Sequence, residues 1–138
     1  MEKYIRWRFS SRAGELLVLD PHLLDGEPDT VRRVIGFLNR LNRPIRALAG
    51  GIRDDALAEL KAASKLEARV LPGGRADLHD RVWIVGESGP LVGTSVNLFV
   101  RDPKATGART TTAADLPVAD SALWRAKFEY WWARGRPL

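Results

Sequence analysis

At 138 residues the chain is long enough for one domain to bury a core without disulfide or metal staples. Hydrophobic residues at 45% and charged residues at 28% exclude a disordered or fibrous chain, no apolar run approaches the ~18 residues of a membrane span, and the absence of cysteine removes disulfides, thiolate catalysis and cysteine-ligated zinc together. A net charge of +5, with 17 of the 22 basic residues arginine, favours anionic partners such as nucleic acid or lipid headgroups, although these cations are spread along the chain and form no single block.

The first twelve residues carry scattered charges and no apolar centre, so a cytoplasmic protein is expected. Two histidines, His22 and His79, are too few for a histidine-rich metal site; no metal and no cofactor are expected.

Residues 14–19 form a continuous apolar run that reads as a strand, ended by Asp20-Pro21. Asp29 or Thr30 suits the cap of a helix whose Val31, Val34, Ile35, Leu38 and Leu41 fall at helical spacing, and Pro44 stops it near Asn42. Residues 44–49 give a second strand. Gly50-Gly51 then turns into a helix with Asp54 and Asp55 early, Lys61 and Lys65 late, and Leu57, Leu60 and Ala63 inward. A third strand covers 66–71. The order β-α-β-α-β specifies a parallel sheet with right-handed crossovers.

Beyond Pro72-Gly73-Gly74 the helical period vanishes. Residues 78–85 and 91–99 read as the two strands of a hairpin joined across 86–90. Residues 101–117 read as a long loop with an edge strand at 109–112. Asp120 or Ser121 then caps a last helix bearing Leu123, Trp124, Phe128, Trp131 and Trp132. Aromatic residues at helical spacing are ordinarily core; a base-stacking platform or a membrane anchor is the alternative. One domain over 1–138 is expected, of α/β class, with a mixed sheet of about five to seven strands flanked by helices.

The hairpin carries the chemistry. Alternation along a strand sets His79 and Arg81 on one face and Ser95 and Asn97 on one face of the next. If the faces coincide, an imidazole, a guanidinium, a hydroxyl and a carboxamide converge, a set that suits a phosphoryl oxyanion without a metal. Each has a quieter reading. His79 fits a strand histidine bonded to a carbonyl; Arg81 fits an ion pair with Asp77, Asp80 or Glu87; Ser95 and Asn97 fit turn organisers. His22 reads as a loop residue on the rim where α/β sheets bind ligands.

The segment Leu78-His79-Asp80-Arg81, followed by Gly93-Thr94-Ser95-Val96-Asn97, resembles the phospholipase D-like superfamily, whose motif runs His-x-Lys-x4-Asp and then Gly-Ser-x-Asn on the next strand. The resemblance extends over most of the chain, since the preceding β-α-β-α-β order and the terminal aromatic helix look like one half of that fold. It implies His79 as the nucleophile of a phosphohistidine intermediate in a metal-independent phosphodiesterase. Arg81 stands at the phosphate-binding lysine, Ser95 and Asn97 at the Ser-x-Asn pair, and Thr94 at the glycine. Gly86 replaces the aspartate, with Glu87 beside it as a substitute. The His-Asp-Arg form also resembles a divergent branch that binds membranes and dimerises without hydrolysis.

One motif supplies one histidine, whereas the two-step chemistry uses a nucleophile and a general acid, so a homodimer pairing His79 with its twin is what would complete the site. The resemblance thus implies a homodimeric phosphate-recognising domain acting on nucleic-acid phosphodiesters, as nuclease or binder. Its alternative is an inactive module on acidic membrane or a partner protein.

Overall fold

The computed structural model describes residues 14–73, 81–87, 89–92 and 113–138. Those residues form an α/β fold built on a mixed sheet with helices on both faces.

Strand β1 (Leu16–Leu19) is buried along its whole length because it is central, with neighbours on both edges and helices on both faces. Helix α1 (Pro28–Arg40) returns the chain to β2 (Ile45–Ala49), which lies parallel to β1. A 3-10 turn (Asp54–Ala56) and helix α2 (Leu57–Ala62) lead to β3 (Leu66–Val70), parallel to β2. The chain then crosses to the far side of β1. There β4 (Arg81–Val85) runs antiparallel to β1, followed by β5 (Pro90–Val92) and β6 (Ala113–Asp115). Helix α3 (Val118–Arg134) and a two-residue strand β7 (Arg136–Pro137), antiparallel to β3, end the chain. The strand order among the described residues is β6-β5-β4-β1-β2-β3-β7.

Period-two alternation divides the core. Leu16, Val18, Ile45, Ala47, Trp83 and Val85 face α1 and α2, whereas Leu17, Leu19, Leu48, Val82 and Ile84 face Phe128 and Trp132 of α3. Both crossover helices therefore share one face, as right-handed β-α-β units in one direction require.

The expected strands 14–19, 44–49 and 66–71 all form, and residues 81–85 and 90–92 make the hairpin pairing Arg81 with Val92 and Val82 with Leu91. Helix α1 starts earlier than Asp29 or Thr30: Glu27 takes the cap and Pro28 the first turn, where a missing N–H is harmless and φ is preset. Asp29 instead pairs with Arg32 at 2.9 Å. Asn42, at φ 52, supplies the left-handed residue that ends α1. The edge strand pairing with β5 lies at Ala113–Asp115, while 109–112 fall outside the described residues. Helix α3 begins at Val118, ahead of Asp120, and Leu123 is 54% exposed. Five residues from Phe128 is roughly 140° around a helix, which carries Leu123 off the core stripe.

Candidate functional site at the carboxyl edge of the parallel strands

The sequence Leu19-Asp20-Pro21-His22-Leu23 dictates the turn that leaves β1. Proline presets the second position of a type I turn, and aspartate at the first bonds two residues ahead. The Leu23 amide donates to the Asp20 carbonyl at 3.1 Å and the His22 amide to the Asp20 carboxylate at 3.0 Å. The ladder to β2 continues past both strand ends, with the Asp20 amide donating to Leu48 and the Gly50 amide to Pro21. The turn is thereby pinned to the sheet.

Asp20 is wholly buried. Its cross-strand neighbour is Arg81, because β1 and β4 run antiparallel with Leu19 opposite Val82. Arg81 Nε lies 3.7 Å from Asp20 Oδ1, and the arginine side chain keeps 17% of its surface in solvent. A carboxylate stripped of water is strongly unfavourable unless cations or hydrogen bonds compensate it, and Arg81 is one cation beside it. Beside them His22 Nδ1 and Asp25 Oδ2 stand 2.8 Å apart, a contact that orients the imidazole. Both couples sit where the chain reverses direction, between the β1-β2-β3 run and the β4 side of the sheet. Open α/β sheets bind ligands at that crevice.

Of the residues singled out in the sequence, the structure brings Arg81 and His22 to this edge. Glu87 stands in the exposed turn beyond the opposite end of β4, whose last residue is already about 13 Å from Arg81 by the rise per residue of a strand. It does not meet Arg81. His79, Thr94, Ser95 and Asn97 lie outside the described residues, as do Asp77 and Asp80. Asp20 was missed because an acidic residue closing an apolar strand before proline reads only as a terminator. The β1-β4 pairing that gives it a partner is a long-range choice.

A second set of polar contacts locks α3. Arg46, pointing from β2 to the α3 face, donates to both oxygens of Glu15 at 2.9 Å and to Glu129 at 2.6 and 3.0 Å. Its guanidinium also lies 5.4 Å from the Phe128 ring centre and 5.2 Å from that of Trp132. These bonds raise the Arg46 pKa and hold the Glu129 carboxyl below its ordinary range. Arg125 reaches from α3 to the Gly86 carbonyl at 2.8 Å. Phe128 and Trp132 are thus core residues, stacked at 5.6 Å, with Trp124 and Trp131 half-buried beside them.

Among the described residues no helix is long and apolar enough to cross a membrane, and no three His, Cys, Asp or Glu side chains gather as metal ligands. No family model matches the sequence, and no curated protein matches it. Among solved structures, the chain is similar to TrmBL2, an archaeal chromatin protein whose structure shows a novel mode of DNA binding. The likeness has a TM-score of 0.53 at 17% identity, covering 99% of this chain and 50% of that one. It shows a shared fold, and the chain spans about half the length of that protein.

Proposed function

We propose that this chain is a phospholipase D-like domain that recognises phosphate in nucleic acid at the carboxyl edge of β1, with His79 and Arg81 as its principal contacts. The observation that carries the reading is Arg81, a guanidinium 3.7 Å from a buried carboxylate at the reversal point of an α/β sheet, two residues after His79 in the sequence. A fixed guanidinium fork suits phosphate oxygens bidentately and loses little side-chain freedom on binding. The His22 and Asp25 couple adds an oriented imidazole to the same edge. Further support comes from the arginine-rich composition and from the fold shared with a chromatin protein that binds DNA.

Recognition is favoured over turnover. A carboxylate beside Arg81 offsets part of its charge, which weakens stabilisation of a developing phosphorane more than it weakens docking of a phosphodiester. The nuclease form of the proposal places His79 as nucleophile, attacking phosphorus while the P–O bond to the leaving group breaks.

The test is equilibrium binding of labelled single- and double-stranded DNA over a range of salt concentrations. Arg81→Gln and His79→Ala should each weaken binding by roughly tenfold, and Arg81→Gln should lower the salt dependence by about one counterion. Identical isotherms for wild type and both variants, with folding verified by circular dichroism, refute the reading. Incubation with DNA in chelator decides the nuclease form, which fails if His79→Ala and wild type leave equal product.

A further inference from the structure

In an α/β sheet the helix that follows a parallel strand usually offers phosphate a second grip, the backbone amides of its first turn. Here that grip is closed. Glu27 takes the cap of α1, Pro28 has no N–H to give, and Asp29 adds a carboxylate in the first turn. The turn that leads into α2 repeats the pattern with Asp54 and Asp55.

The arginines among these carboxylates do not offset them. Arg53 lies between Glu27 at 3.3 Å and Asp55 at 3.6 Å, and Arg32 between Asp29 at 2.9 Å and Glu59 at 2.6 Å. Four carboxylates share two guanidiniums, and Asp54 adds to the negative excess. Glu27 and Asp29 keep 80% and 85% of their side chains in solvent, so their charge faces whatever approaches the edge.

This acidic rim stands on the same side of the sheet as Arg81. Arg81 alternates with Trp83 and Val85, which face α1 and α2, and it begins β4 at the edge where both crossovers leave their strands. From β4 across β1 to β2 is two strand spacings, about 10 Å. That is about one Debye length in 0.1 M salt, so the charges are felt across it. A backbone continuing over the rim from Arg81 sets further phosphates against the carboxylates, a like-charge approach that discriminates strongly between partners. A strand that stops at Arg81 brings a neutral terminal sugar to the same place.

We infer that the site takes the end of a nucleic-acid strand in preference to a continuous backbone. Arg81 holds the last phosphate, the terminal nucleoside lies toward the rim, and Glu27 and Asp29 set the preference by repelling any phosphate beyond it. This inference rests on the phosphate reading and adds a substrate class to it.

The test compares a linear single-stranded oligonucleotide bearing hydroxyls at both ends with its circular form of the same sequence, in about 0.1 M salt. The linear form should bind about tenfold more tightly. A phosphate placed on the 5′ or the 3′ terminus should remove most of that advantage in one of the two cases, and the case that does so gives the polarity of the bound strand. Glu27→Gln combined with Asp29→Asn should bring the circle to within a few fold of the linear form at an unchanged circular dichroism spectrum, since both side chains are exposed. Equal affinity of wild type for line and circle, with Arg81→Gln still weakening both, overturns the inference and leaves the phosphate reading standing. So does a preference for ends that neither terminal phosphate nor the double variant reduces. Linear DNA indifferent to Arg81→Gln and His79→Ala refutes the phosphate reading itself, and the inference falls with it.

Discussion

Asp20 and Arg81 face each other across the β1-β4 ladder, the carboxylate wholly buried and the arginine Nε 3.7 Å away, with 17% of the arginine side chain left in solvent. The pair is at once a structural debt and the chemical feature of the edge. Arg81→Ala removes a cation beside a buried carboxylate and should destabilise the fold by about 3 kcal/mol. Asp20→Asn combined with Arg81→Gln removes both charges and should cost far less, about 1 to 2 kcal/mol. Urea denaturation of the singles and the double measures the coupling. Additive losses would show that the two side chains do not interact.

The Arg46 and Glu129 contact makes stability depend on pH. Hydrogen bonds from Arg46 depress the Glu129 carboxyl, so its contribution is present above the ordinary carboxylate value of 4.5 and is lost as pH falls through the depressed one. With Glu129 47% exposed, solvent screening limits that contribution to about 1 kcal/mol. Glu129→Gln should therefore lower Tm by roughly 4 °C at pH 7 and converge on wild type at acid pH. Thermal melts of both proteins across pH 3 to 7 give the comparison, and parallel curves would contradict it.

What was legible in the sequence follows what local physics determines. Three strands, two crossover helices and the hairpin were written in apolar runs, helical spacing and turn residues. The two-residue β7 was not, since Arg136–Pro137 is too short to show alternation and owes its place to β3 alone. Leu123 reads as core in the sequence because apolar residues are frequent along α3, and only packing shows which side the sheet covers. The partner Asp20 is not legible in the sequence for a related reason. Asp77, Asp80 and Glu87 read as partners of Arg81 because they are near it in the chain, and of these Asp77 and Asp80 lie outside the described residues, whereas Asp20 reaches it through a pairing of strands far apart in sequence.

Ser121 is 1% exposed in the first turns of α3, and its Oγ has no hydrogen-bond partner among the described residues. A buried hydroxyl without a partner forfeits its hydration, whereas alanine removes the cost and favours helix. Ser121→Ala should raise stability by up to about 1 kcal/mol, read as an upward shift of the denaturation midpoint at unchanged slope. A lower midpoint would mean that the hydroxyl makes a contact worth more than its burial costs.

Two glycines should respond to alanine in opposite directions. Gly36 lies within α1, where an added Cβ meets only the far end of the flexible Arg40 side chain at 3.5 Å. Alanine there reduces the freedom of the unfolded chain without strain, so Gly36→Ala should stabilise by about 0.5 to 1 kcal/mol. Gly89 closes the hairpin against β4, and a Cβ built on it falls on the Trp83 carbonyl, backbone that cannot swing aside. Gly89→Ala must push the β4-β5 turn off the sheet at a cost of about 2 kcal/mol or more. Amide exchange supplies the sharper readout. In Gly89→Ala protection should fall first at the Leu116 amide, which donates to the Gly89 carbonyl, while β1 to β3 keep theirs. Uniform loss across the sheet would show instead that the hairpin and the parallel strands open as one unit.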